Sequence, residues 1–256
     1  MTDWIQYAVE DGIATLTLNR PEKRNAMCYE MLVDFINATT EATQDDSARV
    51  LIVTGTGGAF CAGSDLSDFA ETSGNDRKLP KGGKWWQLVE CPKPVIAAID
   101  GPAVGMGAEF SSHCDIRIAT AQSRFAWNFA QRGLVPDTGA GSWLLPRIIG
   151  PARALHLLYS GDFLSAEDAL AMGYVNEIVE ADRLQERARE LARRYMQSSP
   201  FSQSRIKELV YEGFTADIQD HSKRSGAFLR ECFDSEDHKE GVASFFERRE
   251  AQFKGR

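Results

Sequence analysis

The sequence predicts a layered α/β fold, and three observations lead to this prediction. Short apolar runs alternate with stretches of helical periodicity, glycine-rich turns lie between them, and the last third of the chain is mostly helical in pattern. Strands that alternate with helices along a chain are typical of layered α/β folds rather than all-β folds. With 256 residues, 43% of them hydrophobic, the chain is long enough to bury one large core.

Four apolar runs predict strands. Ile13–Leu18 is rich in β-branched residues and ends at Asn19-Arg20-Pro21, so we expect a short strand near the edge of a sheet. Arg49–Thr54 and Pro94–Ile99 are continuous apolar runs, which are typical of strands that are covered on both faces. Cys114–Ala119 predicts a further strand.

Helical periodicity occurs early in the chain and dominates its end. Tyr29–Thr43 carries apolar residues three and four positions apart, which predicts an amphipathic helix. Asp217–Glu250 contains too many apolar residues for a helix that faces solvent, so we expect this part to pack on another subunit. Glu71–Lys84 is rich in Gly, Lys, Asp and Ser and predicts a loop. The other predicted helices are Ala152–Ser160, Ser165–Met172 and Ala181–Gln197.

Composition excludes several classes of function. Lys and Arg number 29 and Asp and Glu 37, which gives a net charge of −8 and argues against binding to nucleic acid. Five cysteines without CxxC spacing indicate reduced thiols in a cytoplasmic protein. The four histidines have no metal-ligand spacing, so we expect no metal site. We also expect neither a signal peptide nor a membrane span.

Two loops offer backbone donors to an anion. Gly105-Met106-Gly107 lies between a strand and a helix, where unpaired N–H groups and the positive end of the helix dipole meet. Ala59–Leu66 contains small residues that let a ligand approach the main chain closely. Two such donors aimed at one point would form an oxyanion hole. Taken alone, however, each loop is more often an ordinary tight turn.

Two carboxylates lie near these loops and are candidate bases. Glu109 follows the glycine pair directly, and Asp137 lies in Gly-Leu-Val-Pro-Asp-Thr-Gly. Each also has a purely structural explanation. Glu109 is an acid in the first turn of a helix, and Pro-Asp-x-Gly is a common turn sequence. Spacing alone favours the structural explanation for both.

Several motifs in a consistent order resemble one family. They are Asn19-Arg20-Pro21 with Asn25-Ala26, then Ala59 to Leu66, Lys93 to Gly101, and Cys114-Asp115-Ile116. Over nearly the whole chain they resemble the crotonase superfamily of enoyl-CoA hydratases and isomerases. The resemblance implies a spiral of strand-strand-helix turns over residues 1–195 and a C-terminal helical region over residues 196–256 that forms trimers, which often pair into hexamers. It does not fix the reaction.

The resemblance also implies a substrate and a site. The substrate is an acyl-CoA whose thioester oxygen lies between the backbone N–H groups of Ser64 and Met106, where negative charge develops in an enolate. CoA belongs to the substrate, so no separate cofactor is expected. Arg24 and Lys254 are expected near its phosphates. The positions expected along the CoA moiety are Arg24, Ala26, Ala62, Asp65 and Leu66.

Departures from the family pattern indicate the subfamily. Hydratases of this superfamily use two glutamates, of which one matches Glu109 and the other aligns with Phe129, a residue that cannot accept a proton. The block around Asp137, followed by Trp143-Leu144-Leu145-Pro146-Arg147, resembles enoyl-CoA isomerases of phenylacetate-type degradation. The resulting hypothesis is an isomerase in which Asp137 moves the proton. Glu109 then acts either as a second acid or base, as in a dienoyl isomerase, or only as a hydrogen-bond partner. Phe129 is expected to line the substrate site and to desolvate Asp137 partly.

Three alternatives remain open at this point. A hydratase could use Glu109 together with Asp137, and a thioester hydrolase or dehalogenase could use Asp137 as its nucleophile. A binding protein without activity is a third possibility. The loop at Glu71–Lys84 is expected to cover the acyl end of the substrate. Large aromatics indicate either a bulky pocket or ordinary core, and they are Trp85, Trp86, Trp127, Phe129 and Trp143.

Overall fold

The computed structural model of the chain describes residues 2–67, 84–138 and 140–256. Within these residues nine strands form one six-stranded and one three-stranded sheet. The loop expected at Glu71–Lys84 lies outside the described residues, apart from Lys84 itself. The strands are β1 Ile5–Glu10, β2 Ile13–Leu18, β3 Val50–Gly55, β4 Val95–Ile99, β5 Pro102–Val104, β6 Ile116–Thr120, β7 Arg124–Ala126, β8 Leu164–Ser165 and β9 Glu177–Val179.

The described residues also form ten helices. The helices predicted at 29–43, 152–160, 165–172 and 181–197 are each present, with ends within three residues of the predicted ones. Among the described residues, no helix combines the length and hydropathy that crossing a membrane requires. The helices are α1 Tyr29–Gln44, α2 Gln87–Glu90, α3 Met106–His113, α4 Leu145–Ile149, α5 Pro151–Ser160, α6 Ala166–Ala171, α7 Leu184–Met196, α8 Pro200–Glu212, α9 Ile218–Asp234 and α10 Glu236–Glu247.

The larger sheet has the order β1-β2-β3-β4-β6-β9. β1 is antiparallel to β2, and the other neighbours are parallel. The expectation that Ile13–Leu18 is an edge strand was wrong. β1 pairs with its outer side, which makes it the second strand of the sheet. Asp11 and Gly12 join the two strands with φ values of 51° and 76°. Asp-Gly with both residues at positive φ is a strong hairpin signal, so the sequence contained this information.

The chain winds as a spiral in which two central strands of the larger sheet, β4 and β6, are each followed by a short strand of the smaller one. β4 turns at Gly101 into β5, α3 follows, and β6 and β7 repeat the pattern beside them. Gly101 has a φ of +69°, and a Cβ atom there would lie 2.0 Å from the carbonyl oxygen of Gly58. The strand-strand-helix spiral implied by the resemblance is therefore confirmed.

Alternate residues of the central strands enter two separate cores. Leu51 and Val53 of β3 pack in the cluster that contains α1 and α3, whereas Val50 and Ile52 pack against α7. Side chains of a strand point alternately to its two faces, so a sheet covered on both sides needs a continuous apolar run. The prediction from Arg49–Thr54 is confirmed, since all but the last residue of β3 are buried.

The C-terminal helices pack on the spiral and leave apolar residues exposed. Lys207 Nζ and Tyr211 Oη of α8 donate hydrogen bonds of 2.8 and 3.0 Å to the carboxylate of Asp115. Ser235 divides the stretch predicted as helical at 217–250, because its hydroxyl caps α10 by accepting from His238 N. Large exposed side chains of α9 and α10 include Leu229, Phe233, Val242, Phe245 and Phe246. The expected trimer stays a prediction.

Two helical glycines provide a matched test of this packing. A Cβ atom at Gly107 would lie 2.2 Å from the carbonyl oxygen of Cys61, whereas at Gly226 the nearest atom is the flexible end of Arg230 at 3.6 Å. We expect Gly107→Ala to lower the melting temperature sharply or prevent folding. Gly226→Ala should stabilise by roughly 0.5–1 kcal/mol, as in other helix interiors. Circular dichroism melting of both variants checks this, and equal effects would contradict it.

Candidate active site

The two loops with candidate backbone donors lie side by side. Cys61 N donates to Pro102 O at 3.1 Å, and Val104 N donates to Cys61 O at 2.9 Å, so the 59–66 loop runs parallel to β5. A Cβ atom at Gly63 would lie 2.9 Å from the carbonyl oxygen of Val104. Only a glycine permits this approach, which brings the residue after Gly63 close to the start of α3.

The N–H groups of Ser64 and Met106 remain available for a ligand. The neighbours of Ser64 bond to Met27, since Met27 N donates to Gly63 O and Asp65 N donates to Met27 O, both at 2.8 Å. Met106 is the first residue of α3, where an N–H has no acceptor within the helix. Across the described residues, neither N–H donates a hydrogen bond. Both residues line one cavity of about 310 Å³, which we call the oxyanion cavity.

Helix α3 has its positive end at this cavity and a buried cation at its other end. The Arg117 guanidinium donates to the carbonyl oxygens of Ser111 at 3.3 Å and Cys114 at 2.5 Å. Arg117 as a whole is only 5% exposed. A cation beside the carbonyl end of a helix is favourable, as is a developing anion at its N–H end. Sequence reasoning missed Arg117, although a lone charge within the apolar run Cys114–Ala119 was a visible signal.

Asp137 lines the oxyanion cavity together with Phe129, Ser64 and Met106. Its residue is exposed, and Phe129 is half-buried. Phe129 lines the same cavity as Asp137, and its partial desolvation of Asp137 stays a prediction. What the arrangement provides is a carboxylate and two backbone donors around one space.

Glu109 is close to this cavity but does not line it. Its residue is fully buried, and its carboxylate accepts hydrogen bonds from Gly141 N at 2.9 Å and Thr138 N at 3.3 Å. Burial is the main cause that raises the pKa of Glu109 to about 7. The two N–H donors oppose this rise, and the negative charge of Asp137 adds to it. The two carboxyls therefore interact electrostatically without facing one cavity.

The segment whose N–H group at Gly141 bonds to Glu109 has an unusual backbone. Ala140–Leu144 form a π-helix, a conformation that occurs frequently at functional sites. A Cβ atom at Gly141 would lie 3.1 Å from Glu109 Oε1 and 2.7 Å from Cβ of Pro136. A glycine at position 141 therefore lets the N–H reach the carboxylate.

Of the five residues expected along the CoA moiety, Ala62 and Leu66 line the oxyanion cavity, whereas Arg24, Ala26 and Asp65 do not. Ala62 N donates to Arg24 O at 3.0 Å, which places the Arg24–Ala26 segment beside the 59–66 loop. Asn25 fixes this segment, because its buried side chain accepts from Arg20 N and donates to Ala59 O, both at 2.8 Å. Arg24 itself is exposed. Asn25 had no predicted role of its own, although it belongs to the motif that carried the resemblance.

Asp65 and Leu66 differ in what their side chains do. The Asp65 carboxylate pairs with Arg20 at 2.8 Å and accepts from the Ser67 hydroxyl at 2.6 Å, and these contacts, Ser67 first, lower its pKa. Asp65 is thus engaged within the chain, while Leu66 is 61% exposed and lines the oxyanion cavity. Lys254 lines a different cavity, beside α10.

A family model described as Enoyl-CoA hydratase/isomerase matches residues 8–256. The chain belongs to this family. Its sequence is 36% identical to the 1,2-epoxyphenylacetyl-CoA isomerase of Escherichia coli (strain K12), over 100% of both chains. It is 33% identical to the crotonyl-CoA hydratase of Syntrophomonas wolfei subsp. wolfei, over 95% of both. A crystal structure of enoyl-CoA hydratase from Bacillus anthracis superposes with a TM-score of 0.92 at 29% identity and covers 99% of this chain and 100% of that one.

These similarities confirm the family predicted from sequence, including the likeness to phenylacetate-type isomerases. The enzymes of this family process acyl-CoA substrates. Relatives named isomerase and relatives named hydratase occur side by side. The reaction of this chain must therefore be argued from the residues around its cavity.

Burial of Glu109 predicts a specific dependence of stability on pH. Its pKa is raised from 4.5 to about 7, so between these values the folded protein keeps a proton that the unfolded chain loses. The free energy of unfolding should fall as pH rises through this window, by up to about 1.4 kcal/mol per pH unit, and level off above it. Urea unfolding across this range measures the slope.

Two variants isolate this contribution. Glu109→Gln should remove it and flatten the slope, whatever its effect on absolute stability. Asp137→Asn should lower the upper end of this pH range, because the charge of Asp137 raises the pKa of Glu109 in the folded protein. An unchanged slope in Glu109→Gln would contradict the assignment.

Proposed function

We propose that this chain is an enoyl-CoA isomerase that shifts a double bond by moving one proton through a thioester enolate. One observation carries the proposal. Among the described residues, Asp137 is the carboxylate that lines the cavity shared by Ser64 and Met106, whereas Glu109 is fully buried and accepts hydrogen bonds from Thr138 N and Gly141 N. A single accessible base opposite two oxyanion donors suits a 1,3 proton shift.

The proposed reaction balances without a cofactor. Asp137 removes a proton from the α carbon of a 3-enoyl thioester, and the electron pair of that bond moves into the thioester carbonyl. The resulting oxyanion accepts hydrogen bonds from Ser64 N–H and Met106 N–H at the positive end of α3. Asp137 then returns the proton to the γ carbon, which binds it with the π electrons of the former β–γ double bond. The oxyanion re-forms the carbonyl, and the enolate double bond shifts to lie between the α and β carbons.

Hydration is the second candidate function, and the surroundings of Glu109 favour it in one respect. A carboxyl with a pKa of about 7 is well matched to acid or base work near neutral pH. Water addition, however, needs both an acid and a base at the double bond. Within the described residues the oxyanion cavity is lined by one carboxylate, and Phe129 stands at the position that aligns with the second glutamate of hydratases.

Glu109 has a positioning role in the proposed isomerase. Its hydrogen bonds from Thr138 N and Gly141 N hold the turn that carries Asp137. The negative charge of Asp137 also raises the pKa of Glu109. The expected homotrimer or hexamer is part of the proposal, because exposed phenylalanines such as Phe245 and Phe246, each 78% exposed, need a partner surface.

The first test follows the ultraviolet absorption of the conjugated thioester. Wild-type protein should create conjugation from a 3-enoyl-CoA, and Asp137→Asn should slow this by about 10²–10⁴-fold, the usual contribution of a general base. Glu109→Gln should reduce the rate less, since it perturbs position and not the proton acceptor. Loss of conjugation from a 2-enoyl-CoA that depends on Glu109 would instead identify a hydratase.

The second test removes one oxyanion donor from the backbone. Proline is tolerated at the first position of a helix, so Met106→Pro should delete the N–H while α3 persists. We expect kcat for the double-bond shift to fall about 10²–10³-fold. Met106→Ala is the control, because it shortens the side chain and keeps the N–H. Equal rates for the two variants, with folding checked by circular dichroism, would exclude Met106 as a donor.

A further inference from the structure

A second cavity of about 480 Å³ is lined by Thr138, the residue that follows Asp137 in the chain. Its walls are mostly apolar and include Trp86, Val89, Trp143 and Leu144, together with His113 and Thr138. We call it the distal cavity. The oxyanion cavity ends at Asp137 and the distal cavity begins at the adjacent Thr138, so the two are neighbours across a single peptide unit.

Helix α3 connects the two cavities in a defined order. Met106 lines the oxyanion cavity, Glu109 is buried beneath the turn, and His113 lines the distal cavity. Glu109 and His113 are four residues apart and so share a face of the helix. A rise of about 1.5 Å per residue puts Met106 and His113 about 10 Å apart along the axis. An acyl chain with its carbonyl at Met106 and its reacting carbons beside Asp137 would reach His113 with its distal atoms.

His113 is unusual in this apolar wall. Its residue is 1% exposed, and neither ring nitrogen has a hydrogen-bond partner within the described residues. Burial lowers its pKa to about 4, and the backbone of Thr138, which approaches the ring without meeting the distance and angle of a hydrogen bond, opposes this shift weakly. At neutral pH the ring is therefore uncharged and offers one donor and one acceptor. Buried polar groups in proteins nearly always have partners, so an unpaired imidazole at a cavity wall indicates a ligand group.

Building on the proposed isomerase, we propose that the distal cavity holds a bulky apolar acyl group and that His113 determines specificity by hydrogen bonding to a hydroxyl group on it. A hydroxyl can both donate to and accept from a neutral imidazole. An anionic substituent fits poorly, because the uncharged His113 ring offers no counter-charge, and the acids that line the cavity, Glu90 and Glu212, already pair with Lys84 and Arg224 at 2.7 and 3.5 Å. Trp86 and Trp143 give the cavity aromatic walls that suit a ring.

The experiment compares hex-3-enoyl-CoA and 5-phenylpent-3-enoyl-CoA with the hydroxyphenyl counterparts of the latter, which carry the hydroxyl at the ortho, meta or para position. Wild-type protein should favour at least one hydroxyphenyl isomer over the phenyl substrate by at least tenfold in kcat/KM, since a site built for a hydroxyl discriminates against its absence. His113→Leu should abolish this preference and leave the other two substrates within about threefold. His113→Asn should restore part of it.

Two further variants control for indirect effects. His156→Leu changes an exposed histidine outside both cavities and should leave every ratio unchanged. Leu144→Trp narrows the distal cavity, so it should reduce kcat/KM for the phenyl and hydroxyphenyl substrates at least tenfold more than for hex-3-enoyl-CoA. Equal turnover of phenyl and hydroxyphenyl substrates by wild-type protein, or uniform losses in His113→Leu, would overturn the proposal.

Failure of the proposed reaction is distinguishable from failure of this inference. If no 3-enoyl-CoA is isomerised, calorimetry with the saturated 5-phenylpentanoyl-CoA and its hydroxyphenyl counterparts measures binding alone. A hydroxyl preference that depends on His113 then supports the distal cavity while the isomerase assignment falls. The absence of such a preference in binding as well would overturn the role of His113.

Discussion

The packing of the 59–66 loop against β5 is the contact on which the active site depends. Cys61 exchanges backbone hydrogen bonds with β5, and glycines at 63 and 107 leave room for carbonyl oxygens that a Cβ atom would meet at 2.9 and 2.2 Å. This close approach brings two unused N–H groups, on Ser64 and Met106, to one cavity. The sheet beneath is buried on both faces and gives the two loops a rigid base.

Helix α3 organises the chemistry along its axis. Its N–H end faces the oxyanion cavity, Glu109 lies under the turn of Asp137, His113 reaches the distal cavity, and Arg117 neutralises the carbonyl end. Two carboxyls of one site thereby acquire different roles. Burial keeps a proton on Glu109 up to about pH 7, while exposure leaves Asp137 in contact with the cavity.

The family uses one backbone arrangement for several reactions, and a few side chains select among them. Relatives over the full chain length bear isomerase and hydratase names, which shows that the fold alone does not decide the reaction. Here Phe129 in place of a second glutamate and Asp137 at the cavity favour proton transfer over addition of water. The distal cavity is proposed to select the acyl group rather than the reaction, because none of the residues that line it also lines the oxyanion cavity.

The sequence by itself determined the strands and helices, the two donor loops, the family and the identity of both carboxylates. These depend on periodicity and turn chemistry within a few residues, and even the β1–β2 hairpin that was missed is encoded by Asp11-Gly12. Only the tertiary structure decided that Glu109 is buried, that Asp137 lines the oxyanion cavity and that His113 lines the distal cavity. The burial of Glu109 is set by residues about 30 positions away, since Thr138 and Gly141 donate hydrogen bonds to its carboxylate, and no local sequence pattern indicates this contact.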